Sequence, residues 1–384
     1  MSGPLTGVRV LELRGIGPLP FAGMLLSDLG ADVVRIDRVP GGQQRDPAED
    51  APGRGRRSVA LNLKDPAAAE VVRRLCADAD VLIEGFRPGV AERLGVGPQD
   101  CMARNERLVY GRMTGWGQEG PLSRSAGHDI NYIALAGVLH GIGRAGEPPV
   151  PPLNLIGDYG GGGLLLAFGV VCALLEARSS GRGQVVDAAM VDGAALFTTV
   201  LHELIAGGGW TERRGANILD GGTPWYDCYE TADGRYVAVG ALEQRFYDEL
   251  TRLTGADLPR ETMEPTELRG RLRTLFRQRT QGEWCALFDG TDACCAPVLA
   301  PTEAPGHPHN LARDSYVTVD GIVQPAPAPR FSRTPGAVRR SPAKAGAHTR
   351  EVLAERGFTA AEISGLVANG AAAQWPGDEA GAGK

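Results

Sequence analysis

Two short stretches carry the side chains best suited to moving protons. They are Ser125-Ala126-Gly127-His128-Asp129-Ile130-Asn131-Tyr132 and Asn154-Leu155-Ile156-Gly157-Asp158-Tyr159, the second followed by four glycines, Gly160 to Gly163. One group in each, His128 and Asp158, reads as an acid or base set beside small residues that let a substrate approach the backbone. A base on each side of one carbon is the arrangement that inverts a stereocentre. Taken singly, each has a plainer reading. His128 precedes a helix that starts near Asp129 and suits its cap; Asp158 closes an apolar strand-like run, Val150 to Ile156, and suits an N-cap. The helix start also offers free backbone N–H groups to a developing oxyanion. Glu243, after Val239-Gly240-Ala241-Leu242, says little alone. His307-Pro308-His309 has no acid or thiol beside it and reads as a loop; no metal site is expected. The seven cysteines form no C-x-x-C pair and their number is odd, which fits a reducing cytoplasm.

The elements that must position these residues alternate between strand and helix. Val8 to Leu13 has a buried-strand pattern, Gly15 to Gly30 a helical one, and Ala31 to Asp37 that of a second strand, a β-α-β opening. Further strands are expected at Ser58 to Lys64, Val81 to Glu84 and Leu108 to Met113, with a helix from Pro66 to Asp78, which implies an α/β fold with a parallel sheet. No G-x-G-x-x-G follows the first strand, so a nicotinamide cofactor is not expected. Arg38 and Lys64 stand at strand ends, where open sheets bind ligands, and Arg54, Arg56 and Arg57 suit either phosphates or a solvated surface. The expected division is a large Rossmann-like domain over 1–190, a linker helix and loop over 191–224, and a smaller α+β domain over 225–300 that opens on a hairpin. A proline-rich strap without regular structure follows over 301–342. A C-terminal part of the large domain (343–370) and an unstructured Gly/Ala-rich tail (371–384) complete the chain.

Length and charge set outer bounds. At 384 residues two domains are the prior, and 40 basic against 46 acidic residues, a net charge of −6, argue against a nucleic-acid binder and for a small-molecule partner. The apolar stretch Leu164 to Leu175 is too short to span a bilayer, and the first residues do not resemble a signal peptide, so no membrane role is expected.

Several motifs together closely resemble the alpha-methylacyl-CoA racemases of the class III CoA-transferase (CaiB/BaiF) superfamily. They are Gly127-His128-Asp129-Ile130-Asn131-Tyr132, Pro152-Leu153-Asn154-Leu155, Gly157-Asp158-Tyr159-Gly160-Gly161-Gly162, Gly181-Arg182-Gly183-Gln184-Val185-Val186-Asp187, Leu219-Asp220-Gly221-Gly222 and Val239-Gly240-Ala241-Leu242-Glu243. The likeness runs from about Gly3 to about Leu366; Pro40 to Ala51 and the tail depart from it. The resemblance implies a Rossmann-like large domain completed by the C-terminal segment, a small domain between, and an interlocked homodimer. It implies racemisation of 2-methylacyl-CoA thioesters with His128 and Asp158 as the proton-transfer pair and Glu243 reaching His128 from the partner subunit. Coenzyme A, carried as part of the substrate with no separate cofactor, would lie along Arg38, Leu61, Asn62, Leu63 and Lys64. It would continue to the turn of Gly127, His128, Asp129, Ile130, Asn131 and Tyr132, with Arg87 nearby. The alternative is a class III CoA-transferase in which Asp158 attacks a thioester as nucleophile. A CoA-binding protein without turnover is a third reading.

Overall fold

The computed structural model describes residues 3–39 and 50–376, so most of the divergent Pro40 to Ala51 segment and the end of the tail lie outside the described residues. The chain divides into two compact units. One comprises Met1–Ala136, Leu153–Phe197 and Ala312–Lys384; the other comprises Gly137–Pro152 and Thr198–Leu311. Residues 137–152 therefore belong with the second unit, not with the large domain as expected, and the chain returns to the first unit at Ala312.

The first unit is built on β1 (Arg9–Leu13), α1 (Pro18–Asp28), β2 (Asp32–Arg38), β3 (Arg57–Leu61), α2 (Pro66–Cys76), β4 (Val81–Glu84), α3 (Val90–Arg93), α4 (Pro98–Met102) and β5 (Val109–Thr114). Then come α5 (Asp129–Leu135), a π-helix (Leu155–Leu164), α6 (Leu165–Ser180), β6 (Val185–Ala189) and α7 (Met190–Leu196). Local chemistry explains the starts: Pro66 occupies the first turn of α2 while the Asp65 carboxylate accepts the Ala67 N–H at 2.8 Å. Strands β1 to β5 are buried on both faces, as parallel strands between two helical layers must be. Leu11, Val34, Leu82 and Tyr110 pack toward one core with α2; Val10, Val33, Ile83 and Val109 pack toward another with Leu19 and Leu26 of α1 and Leu166 and Val170 of α6.

The second unit carries α8 (Thr199–Ala206), the hairpin β7 (Tyr226–Glu230) and β8 (Tyr236–Gly240), α9 (Gln244–Thr254), α10 (Pro265–Phe276), α11 (Gln281–Phe288) and β9 (Cys295–Pro297). The three strands form an antiparallel sheet in the order β7-β8-β9. A single linker helix was expected within 191–224; two helices, α7 and α8, form there, and the unit boundary falls between them.

The remaining elements are α12 (Pro308–Ala312), β10 (Tyr316–Val319), β11 (Ile322–Pro325), α13 (Thr349–Glu355), α14 (Ala360–Ala368) and β12 (Ala372–Ala373). The strap thus contains a hairpin, turning at Asp320 (φ 49°) and Gly321 (φ 79°), the Asp-Gly pair that a tight hairpin turn favours. The tail is not wholly without structure. Ala372 and Ala373 pair antiparallel with Leu61 and Ala60, which makes the seven-stranded order β12-β3-β2-β1-β4-β5-β6 with every other neighbour parallel.

Two further expectations fail. Arg54, Arg56 and Arg57 are neither phosphate ligands nor solvated. Arg54 pairs with Asp28 at 2.6 Å, Arg56 with Glu12 at 2.7 Å, and Arg57 with Asp32, Glu351 and Glu355, all three guanidinium groups being buried. The run Val150 to Ile156 is no strand. Leu153 has φ 60° and the chain winds into the π-helix, which continues into α6 as one helical run of 26 residues, Leu155–Ser180, long and apolar enough to cross a membrane. The glycines permit it: Gly161 packs so closely on Gly193 of α7 that a Cβ on Gly193 would lie 2.0 Å from the Gly161 carbonyl oxygen.

Candidate active site

The strand order 3-2-1-4 reverses direction of growth between β1 and β4, and open parallel sheets bind ligands in the crevice beyond the carboxyl ends of such strands. A cavity of about 330 Å³ opens there. Its walls come from the turn after β1 (Ile16, Gly17), the turn after β4 (Phe86, Arg87), the end of β5 (Trp116), the start of α5 (Gly127, His128, Tyr132) and Asp158 of the π-helix.

His128 is the N-cap residue of α5, exposed, with its backbone N–H donating to Asn131 Oδ1 at 3.0 Å. Asn131 is thereby used as a cap, and neither Asn131 nor Ile130 lines the cavity. Tyr132 is buried, its hydroxyl donating to the Gly127 carbonyl and its ring set edge-on to Trp116 with centroids 4.8 Å apart. A Cβ on Gly115 would lie 2.1 Å from that ring, so the loop can close over Tyr132 only without a side chain there.

Asp158 is half-buried. Asn154, one turn earlier, donates to its Oδ2 at 3.1 Å, and its own backbone N–H donates to Asp129 Oδ2 at 2.7 Å. Burial pushes the Asp158 carboxyl above the ordinary aspartate value and the Asp129 carboxylate adds to the rise; the Asn154 bond and the His128 ring oppose it. Gly17, at φ 64°, leaves room beside it, since a Cβ there would stand 3.1 Å from Oδ2. Asn154 is the residue that the sequence reading missed as a site residue. Its i, i+4 spacing to Asp158 is the signal, visible once the segment is helical rather than extended.

A second cavity, of about 660 Å³, lies along the same sheet edge and shares Phe86 with the first. It is lined by Arg38 at the end of β2, by Leu61, Asn62, Leu63 and Lys64 at the end of β3, and by Gly370 just before β12. Among the described residues, the side chains of Arg38, Lys64 and Arg87 form no ion pair, in contrast to the consumed Arg54, Arg56 and Arg57. Asp129 is 6% exposed and faces Asp158 rather than either cavity. Glu243 lies in the second unit as the N-cap of α9, exposed, with no side-chain capping bond.

The chain is 48% identical to the alpha-methylacyl-CoA racemase of Mus musculus and 46% identical to that of Homo sapiens, in each case over 94% of this chain and 95% of the relative. A CAIB/BAIF family protein from Brucella suis has a similar structure, with a TM-score of 0.79 at 25% identity, covering 93% of this chain and all of that one. The model of CoA-transferase family III matches residues 5–349, and the chain belongs to that family.

Proposed function

We propose that the protein inverts the C2 stereocentre of 2-methylacyl-CoA thioesters by 1,1-proton transfer through an enolate. A chain this close to two racemases over nearly its full length is an isomerase. The observation that supports the two-base mechanism is that His128 and Asp158 both line one cavity at the switch point. Removal of the α-hydrogen leaves charge mainly on the thioester oxygen. The backbone N–H of Asp129, in the first turn of α5 where no helical acceptor exists, is the proposed donor to it, worth roughly 3 to 4 kcal/mol if well placed. His128 takes the proton from one face while Asp158 returns one to the other, and the reverse reaction exchanges their roles. Neutral imidazole therefore pairs with protonated carboxyl, and burial displaces Asp158 in the direction that this pairing needs.

Coenzyme A would occupy the second cavity, its phosphates meeting Arg38 and Lys64, which have no ionic partner among the described residues, with Arg87 nearer the thioester; no separate cofactor is needed. The exposed apolar stripe Leu164, Phe168, Val171 and Leu175 on the helical run suits burial against a second copy, and Glu243 of such a copy would orient His128. All seven cysteines are free thiols, which supports a cytoplasmic setting.

The test is incubation of a single antipode of a 2-methylacyl-CoA in deuterated water. The expected product is the opposite antipode carrying deuterium at C2. Family membership also favours a second reading, CoA transfer through an Asp158 acyl anhydride. Hydroxylamine-sensitive turnover, or CoA passing to an added carboxylate without C2 exchange, would overturn the racemase reading.

A further inference from the structure

We infer that the side chain of Asp129 is a positioning residue that fastens Asp158 to the helix bearing His128 and holds a fixed negative charge beside it. The inference rests on the two-base reading above and assigns Asp129 a role apart from its backbone N–H.

The geometry is specific. Asp129 Oδ2 accepts the Asp158 backbone N–H at 2.7 Å, tying the first turn of the π-helix to the first turn of α5. The tie needs a glycine at 157, because a Cβ there would fall 2.5 Å from Asp129 Oδ2. The two elements that carry the two bases are thus joined by one partly buried hydrogen bond between residues adjacent to, or part of, the pair.

The charge is harder to explain as scaffolding. Asp129 is 6% exposed and its Oδ1 is buried without a hydrogen-bond partner among the described residues. Leaving a carboxylate oxygen so placed is unfavourable, and a neutral acceptor would serve a single N–H equally well. What only the carboxylate supplies is like-charge repulsion with Asp158, which disfavours the ionised form of Asp158 and adds to the effect of burial. The groups facing Asp158 are His128, Asp129 and Tyr132 from α5 and Asn154 from the preceding turn. Arg87 stands on the same cavity wall, Gly17 leads into α1, and α7 contributes Met190, its Asp192 acting on Asp187 instead.

The experiment compares the full-length protein with Asp129→Asn and Asp129→Ala. The Asp158 carboxyl is titrated by difference infrared spectroscopy against Asp158→Asn in each background, and C2 exchange is followed against pH. In Asp129→Asn, which keeps the acceptor, the thermal midpoint should hold while the Asp158 titration and the acid limb of kcat/KM both move to lower pH. Asp129→Ala, which loses tie and charge, should exchange at least about tenfold more slowly. If Asp129→Asn does not fold, Gly157→Ala displaces the carboxylate from the other side and should lower the same titration. An Asp158 titration that superimposes on the parent's overturns the inference whether or not the parent turns over. Absence of C2 exchange in the parent overturns the two-base reading instead.

Discussion

Asn154 and Asp158 stand one helical turn apart, and the side-chain amide of the first donates to Oδ2 of the second at 3.1 Å. Burial raises the Asp158 pKa and this bond restrains the rise, because it favours the ionised form. Asn154→Leu should move the acid limb of C2 exchange to higher pH, the direction opposite to Asp129→Asn, and slow exchange about three- to tenfold. A pH–rate profile unchanged in shape would show that the amide does not tune the carboxyl.

Arg38 and Lys64 face the second cavity as cations without an ionic partner among the described residues. Arg38→Ala and Lys64→Ala should each raise KM for an acyl-CoA about tenfold with kcat within about twofold, the pattern of lost uniform binding. Steady-state kinetics at two salt concentrations checks this, since the parent's KM should rise with salt more steeply than either variant's.

His348 accepts the Ser58 backbone N–H on Nδ1 at 3.2 Å, which a ring protonated there cannot do. Burial lowers its pKa in the folded state, with Arg340 and Arg57 adding to the effect and Glu351 opposing it. The unfolded chain therefore binds the proton more readily. The contribution is fully present above the ordinary histidine value of about 6.5 and is lost as pH falls through the lower folded value. The thermal midpoint of the parent should drop more steeply between about pH 7 and 5 than that of His348→Gln.

The Arg56–Glu12 pair, at 2.7 Å, has both side chains within 1% of complete burial beneath α1. Burial pushes Glu12 up and Arg56 down, so each depends on the other to stay charged. Arg56→Met strands a buried carboxylate and should cost about 3 to 5 kcal/mol, whereas the double substitution with Glu12→Leu should regain most of it. Chemical denaturation of the parent and the two variants measures both.

What the chain shows in one dimension is its local chemistry. The β-α-β opening, the Pro66 helix and the Tyr226 hairpin follow from apolar runs and turn residues a few positions apart. His128 and Asp158 stand out by type and neighbours. What stays hidden is set by partners far along the chain. The fate of Arg57 depends on Glu351 and Glu355, and that of Arg54 on Asp28. The π-helix is masked because four glycines spell a loop unless α7 and α1 press against them. The Asp129 tie is masked because a capping-type residue near a helix start draws attention to its backbone rather than its carboxylate.

The antiparallel pairing of Ala372 and Ala373 with β3, and the Asn62 N–H bonded to the Ala371 carbonyl, bear on how the protein is made. A ribosome must release the chain as far as Ala373 before the third strand acquires its outer neighbour, and Gly370 reaches the rim that Arg38 and Lys64 share only then. Nascent chains halted short of that point would carry the proton-transfer residues with an unfinished berth for the nucleotide. Because that pairing is antiparallel, Gln374 lies toward the opposite end of the third strand, so an affinity tag fused close behind it would lead away from the rim.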